Sequence, residues 1–215
     1  MQKDLFKNPS KKKTKSYSAK DITILEGLEP VRQRPGMYIG GTDQNGLHHL
    51  ASEVIDNAMD EVVEGSASRI EVHLLKGNIL RVKDNGRGIP IDKHPKFKNK
   101  SALEVIFTTL HSGGKFNGDA YDTSGGLHGV GISVVNALSD KLKVEVCRDS
   151  YMHSQSYEYG KPKTKLIKKP LKNKRGTLIE FHPDEKIFGK ENIFSSSKLY
   201  HLCRSKAYLQ SKVEI

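Results

Sequence analysis

The sequence predicts an α+β fold: a two-layer sandwich in which a mostly antiparallel, twisted sheet carries helices on one face. Three observations predict it. Leu47, Leu50, Val54, Ile55, Ala58 and Val62 recur at helical spacing over residues 45–64, and Gly65 stops the run. Residues 69–75 and 78–83 alternate apolar and polar around Lys76-Gly77-Asn78, the pattern of a β-hairpin. Further strand-like segments at 141–148, 154–159 and 176–182 follow with no regular strand–helix–strand period, which favours antiparallel pairing.

The remaining elements follow in chain order. Residues 1–16 are polar and lysine-rich and read as a flexible arm. Ile22, Leu25, Leu28 and Val31 have helical spacing, but Gly27 and Pro30 break the run into short pieces. Arg34-Pro35-Gly36-Met37-Tyr38-Ile39-Gly40-Gly41 reads as a turn and then a short extended segment. The hairpin runs directly into Asp84-Asn85-Gly86-Arg87-Gly88-Ile89-Pro90, and residues 91–100 form a polar loop. Ser101 caps a helix carrying Leu103, Val105, Ile106 and Leu110, with Glu104 in the capping-box position. Residues 111–128 are a long glycine-rich segment, a length that is functional or mobile inside a compact domain. A helix over 130–138 follows it, and the last twenty residues read as a helix and the start of a strand at Val213.

Composition narrows the class. The 215 residues are 35% hydrophobic, enough to bury a core, and contain no apolar run of membrane-spanning length. The N-terminus lacks the apolar stretch of a secretory signal, and Cys147 and Cys203 make no disulfide framework, so a cytoplasmic protein without a membrane partner fits. The net charge of +11 is concentrated: residues 1–20 sum to +6, residues 161–175 to +8, and the other 180 residues to −3. The basicity therefore lies in a tail and a loop, and a tail of this kind is more often a solvated arm than a DNA reader.

Glu53 and Asn57 are four apart and share one face of the 45–64 helix. Such a carboxylate can deprotonate a water, and such a carboxamide can offer an oxygen to a hard cation. Alone, the pair fits a solvated helix face at least as well. Gly86 and Gly88 allow a tight approach to a flat ligand after Asp84, which can accept from an exocyclic amine; a solvent-facing turn is the plainer alternative. Gly125, Gly126, Gly129 and Gly131 precede a helix and suit phosphates, or form a mobile loop. Gly114-Lys115 is followed by Phe116, so neither a P-loop nor a dinucleotide fingerprint is present. His48-His49 with Glu53 lacks the ligand spacing of a zinc site, and no nucleophile elbow anchors a Ser/His/Asp triad.

Taken together, Glu53…Asn57, Asp84-x-Gly86-x-Gly88, Gly125-Gly126-Leu127-His128-Gly129-Val130-Gly131 and Gly176-Thr177 resemble the ATP-binding boxes of the GHKL superfamily, whose fold is the Bergerat ATP-binding fold. Arg34-Pro35-Gly36-Met37-Tyr38-Ile39-Gly40, Leu110-His111-Ser112-Gly113-Gly114-Lys115-Phe116 and Val134-Val135-Asn136-Ala137-Leu138-Ser139 narrow the resemblance to the ATPase subunits of bacterial type IIA topoisomerases, over residues 17–215. Phe107-Thr108-Thr109-Leu110, Phe181-His182-Pro183-Asp184 and Lys206-Ala207-Tyr208-Leu209 look more like the topoisomerase IV branch (ParE) than the gyrase branch (GyrB). More remote relatives fit less well. Histidine kinases of this class lack the glutamate four before the asparagine, and the Arg-Pro-Gly-Met-Tyr stretch disfavours MutL-type and chaperone ATPases.

The resemblance implies an ATP-hydrolysing enzyme that closes a dimer clamp for DNA strand passage, with ATP as substrate and Mg2+ as cofactor. It implies DNA, a ParC-type or GyrA-type subunit and a second copy of the chain as partners, and aminocoumarins as inhibitors. Glu53 is similar to the general base and Asn57 to the Mg2+ ligand. Asp84 resembles the adenine anchor, helped by Thr177, with Gly86 and Gly88 in its turn. Arg87 and Pro90 line the mouth, and Val82, Ile89, Ile132 and Ile179 form the apolar adenine slot. Lys115, Tyr121 and the amides of Leu127, His128, Gly129, Val130 and Gly131 fall where the family binds ribose and phosphates. Tyr17 matches an arm tyrosine that reaches the partner's nucleotide. Two positions depart from gyrase patterns. Ser154 stands where gyrases carry a coumarin-contacting arginine, and Asp122 follows Tyr121 in place of a basic residue. The family's transducer domain, with its phosphate lysine, lies beyond Ile215, so the chain reads as an ATP-binding fragment that binds ATP but hydrolyses it poorly.

Overall fold

The computed structural model describes residues 18–19, 25–97, 99–112 and 131–215. The expected arm at 1–16, and within the site Tyr17, Lys115, Tyr121, Leu127, His128, Gly129 and Val130, lie outside the described residues.

Two short helices, α1 (Glu29–Gln33) and α2 (Gly36–Ile39), lead into the long helix α3 (Gln44–Val63). Within residues 34–41, where a turn and then a short extended segment are expected, the chain instead forms the helical turn α2, which ends at Gly40 in the left-handed conformation. A single turn has too few residues to show a period. Asp43 caps α3 by accepting from the amides of Asn45 and Gly46 at 3.1 and 3.0 Å.

Among the described residues seven strands follow α3: β1 (Ile70–Leu75), β2 (Ile79–Asp84), β3 (Ser139–Arg148), β4 (Tyr151–Glu158), β5 (Lys161–Pro162), β6 (Ile167–Pro170) and β7 (Gly176–Pro183). They form one sheet in the order β1-β2-β7-β3-β4-β5, with β6 also paired to β4. Every strand pair is antiparallel, so the expected sheet is observed. The 161–175 segment, expected as a loop, contributes β5 and β6 to its edge. All four residues of β6 are exposed, so no apolar alternation marked it.

The register explains the two layers. One row across the sheet is Val72, Val82, Ile179, Val144 and Gln155, and the next is Leu74, Leu80, Phe181, Leu142 and Tyr157. The intervening row is His73, Arg81, Glu180, Lys143 and Ser156 on the opposite face. There Arg81 and Glu180 pair at 2.6 Å, and Lys143 and Glu145 at 2.7 Å. Leu80, Val82, Leu142, Val144, Tyr157, Ile179 and Phe181 of these rows form one core with Leu47, Leu50, Val54 and Ile55 of α3, with Leu103 and Phe107 of α4 (Ala102–Thr108), and with Val134 and Val135 of α5 (Gly131–Ala137). Phe107 stacks on Tyr157 with centroids 5.3 Å apart. Burial of these side chains, each worth about 1.5–3 kcal/mol, holds α3 against the sheet.

Local capping departs slightly from expectation. Ser101 accepts from the Glu104 amide at 3.1 Å, but the Glu104 carboxylate accepts from Gln155 at 3.0 Å. After α6 (Glu185–Phe188), helix α7 (Ser196–Leu209) is fastened to α3 by an ion pair between Lys206 and Asp56. The strand expected from Val213 is a single bridge from Glu214 to Arg69. Among the described residues no helix is long and apolar enough to cross a membrane.

The β3–β4 turn is Asp149-Ser150, with φ of 52° and 64° and no glycine. β4 starts at Tyr151, three residues before the expected Ser154, and a turn without glycine gave the sequence no signal of that start. An L-residue in this region carries a steric cost that glycine lacks. Ser150→Gly should therefore stabilise the chain by roughly 0.5–1 kcal/mol and raise Tm by about 1–4 °C in calorimetry. A fall in Tm would contradict this account of the turn.

Candidate nucleotide-binding site

Helix α3 carries three polar residues spaced four apart, Glu53, Asn57 and Glu61, so they lie along one side of it. The Asn57 amide nitrogen donates to the Glu53 carbonyl at 2.9 Å, which fixes the carboxamide. A turn earlier, His49 Nε2 lies 3.2 Å from Glu53 Oε1. Gly131, the first residue of α5, packs so close that an added Cβ would collide with the Glu53 carboxylate. The structure thus brings Gly131 against Glu53.

The second half of the site is built by β2, β7 and the turn after β2. Asp84, at the end of β2, is 7% exposed. Its Oδ1 accepts from the amides of Gly86 at 2.8 Å and Thr177 at 3.2 Å. Burial pushes the Asp84 carboxyl up to about 6; the two amides oppose this and the Glu61 charge adds to it. Gly176, with φ of 117°, lies against the Asp84 carbonyl, where a Cβ has no room. Val82 and Ile179 are register partners two residues inside Asp84 and Thr177, on the same face by strand alternation. Both are buried, and Ile89 and Ile132 are partly buried against the same core. Arg87 and Pro90 are exposed.

Several site residues escaped the sequence reading. Glu61 accepts from the Arg87 amide at 2.9 Å and from its Nε and Nη2 at 3.1 and 2.8 Å, so it ties α3 to the Gly86–Gly88 turn. The four-residue repeat from Glu53 was the signal that could have found it. Asn85 accepts from the amides of Ser68 and Arg69 at 2.9 and 3.0 Å and anchors the other side of the turn. Ser154 sits within β4, paired with Glu145 and Ile167. The arginine beside the turn is Arg148, whose Nη1 donates to Gly88 O at 3.3 Å.

Other candidates have structural roles. His48 Nδ1 donates to Gln44 O at 2.7 Å and its Nε2 accepts from the Ser195 amide at 3.0 Å, which joins α3 to α7. Cys147 and Cys203 are half-buried, and burial pushes both thiols up, away from the reactive thiolate. Among the described residues no group of three His, Cys, Asp or Glu side chains is arranged to hold a metal.

Asp84 gives a pH signature. A carboxyl whose folded pKa lies above its unfolded value of 3.8 stabilises the chain fully only below that value. The contribution, on the order of 3 kcal/mol, is lost as pH rises through about 6. Asp84→Asn should remove this slope, measured by urea unfolding at about pH 4.5 and 7.5. Adenine nucleotide affinity should fall below about pH 6 in the parent chain, because a protonated carboxyl accepts poorly. Identical pH profiles for parent and variant would contradict the assignment.

Residues 42–187 match the family model described as Histidine kinase-, DNA gyrase B-, and HSP90-like ATPase. The B-type subunit of DNA topoisomerase 4 from Rickettsia bellii is 57% identical over 217 residues, covering 99% of this chain and 33% of that protein. The B-type subunit of DNA gyrase from Thermotoga maritima is 52% identical over 199 residues, covering 93% of this chain and 31% of that protein. The 43K ATPase domain of Thermus thermophilus gyrase B, solved in complex with an aminocoumarin, matches with a TM-score of 0.74 and 43% identity over 85% of this chain and 45% of that one. The chain therefore spans about a third of the length of the curated relatives it matches. Since the matched segment contains the α3 residues, the Asp84 hairpin and β7 together, the chain belongs to the Histidine kinase-, DNA gyrase B-, and HSP90-like ATPase family.

Proposed function

We propose that residues 17–215 form the ATP-binding domain of a type IIA topoisomerase subunit of the topoisomerase IV ParE kind, preceded by a basic arm at 1–16. The observation that carries this reading is the meeting of Glu53 with Gly131 at one end of a site whose other end is the buried Asp84. Identity of 57% to a topoisomerase 4 chain, against 52% to a gyrase chain, supports the choice of branch. In the whole subunit, ATP binding would close a dimer clamp on DNA, with a ParC-type partner carrying out strand cleavage in the cytoplasm. The aminocoumarin held by the Thermus thermophilus protein makes that inhibitor class a reasonable ligand here.

Asp84 accepts the exocyclic amine of adenine, while Val82, Ile89, Ile132 and Ile179 hold the ring out of water. Asn57 suits Mg2+: a carboxamide oxygen is a hard ligand, and this metal is commonly held by one or two protein oxygens together with substrate phosphates. When bound, Mg2+ supplies neutralisation of phosphate charge. Glu53 takes the proton from the water that attacks the γ-phosphorus, as the bond to the β-phosphate oxygen breaks. His49, with its Nε2 3.2 Å from Glu53 Oε1, aims the carboxylate. Gly131 leaves room for that carboxylate beside the phosphates.

The test measures binding and turnover side by side. A Glu53→Ala chain should retain calorimetric binding of a non-hydrolysable ATP analogue with magnesium. The same change carried in a full-length subunit should lower ATP hydrolysis by about 10²–10⁴-fold. Turnover that survives would remove Glu53 from the role of base. A parent chain that fails to bind the analogue would remove the nucleotide reading altogether.

A further inference from the structure

Residues 161–175 carry seven lysines and one arginine with no acidic residue, and all eight cations are exposed. They do not sit on a free loop. β5 pairs with Tyr157 and Glu158 of β4, and β6 pairs with Tyr151 through Ser154. Between them, the Lys163 amide donates to Ser156 O at 2.8 Å and Thr164 Oγ1 accepts from the Ser156 amide at 3.0 Å. The Leu171 amide donates to Ser150 O at 2.9 Å. The backbone of the basic segment is thus stitched along β4, so the positions from which its cations project are set before any ligand arrives.

Little within the fold answers those charges. Lys163 pairs with Glu158 at 2.9 Å, Lys168 lies 3.7 Å from the Tyr151 ring centroid, and Arg175 donates to Ser66 O at 3.0 Å. Lys165, Lys169, Lys172 and Lys174 form no ion pair among the described residues. Lys168 and Lys169 are partners of His153 and Met152, so they point to opposite faces of the edge. The field reaches inward: burial first, and then Lys168 and Arg148, hold the His153 imidazole below its ordinary range. Lysines and prolines guard exposed sheet edges against pairing, and Lys168, Lys169, Pro162 and Pro170 suffice for that. Lys165, Lys172, Lys174 and Arg175 lie off the strands and add repulsion that edge protection does not need.

We infer that the β5–β6 edge is a docking surface for the phosphate backbone of duplex DNA. A duplex presents one negative charge about every 1.7 Å of its axis, the polyanion that a preformed row of lysines on both faces of an edge fits. Nothing in the segment reads bases, so the contact is independent of sequence. The choice of DNA rests on the proposed function and extends it: the nucleotide domain itself touches the DNA whose passage it drives.

The test is fluorescence anisotropy of the 215-residue chain with a labelled duplex of about 20 bp, at about 50, 100 and 200 mM salt. A Lys165→Gln, Lys168→Gln, Lys169→Gln, Lys172→Gln chain should lose roughly tenfold or more in affinity at the lowest salt, with a log–log salt slope shallower by about 3–4. The matching Lys→Arg chain, and a chain lacking residues 1–16, should still bind. Nucleotide affinity and circular dichroism should be unchanged in all of them. Equal DNA affinity and slope in the Gln chain would overturn the proposal. So would loss of all binding on removing the arm alone, or capture by phosphatidylserine vesicles without capture by DNA. If the chain binds DNA through this edge but binds no ATP analogue, the proposed function fails while the surface stands.

Discussion

A carboxylate held out of water at the end of β2 is the constraint around which the site is arranged. An ionised buried carboxylate is expensive, and the fold answers it with two backbone amides, one from the following turn and one from β7. Those bonds exist only because β2 and β7 are neighbours and because Gly176 lets the β7 backbone come close. The order β1-β2-β7-β3 is therefore part of this arrangement: β7, from late in the chain, supplies the Thr177 amide to a carboxylate on β2. Where amides compensate burial incompletely, the carboxyl is left with a raised pKa and an unspent capacity to accept one more hydrogen bond.

Helix α3 is the second fixed part. Its apolar side is buried against the sheet, and its Glu53, Asn57 and Glu61 run along the border of that contact. Each does something different because each meets a different neighbour. Glu53 meets His49 and Gly131, and Glu61 meets Arg87. The Glu61–Arg87 pair ties α3 to the turn beside Asp84. Asp56, next to Asn57, is held by Lys206, which links the same helical turn to α7.

What the sequence disclosed, and what it withheld, follows from this construction. Helix α3 and the β1–β2 hairpin were legible because both repeat their pattern long enough to define a period. Glu53, Asn57 and Asp84 were legible as motif positions, and their nearness could be inferred only through the resemblance. Helix α2 was not legible, since four residues show no period, and β6 was not, since an edge strand exposed on every residue has no apolar alternation. The start of β4 was hidden by a turn without glycine. Arg148 was missed because its relevance depends on a carbonyl sixty residues away, brought near only by the β7–β3 pairing.

The central claim is that Asp84 and the Glu53–Asn57 pair address opposite ends of one nucleotide. A crystal structure of the chain with magnesium and a non-hydrolysable ATP analogue tests it most directly. The account predicts the adenine amine within about 3 Å of the Asp84 carboxylate and the terminal phosphate beside Glu53, with Asn57 on the metal. A nucleotide seated elsewhere, or one whose phosphates point away from α3 while its base lies at Asp84, would contradict it.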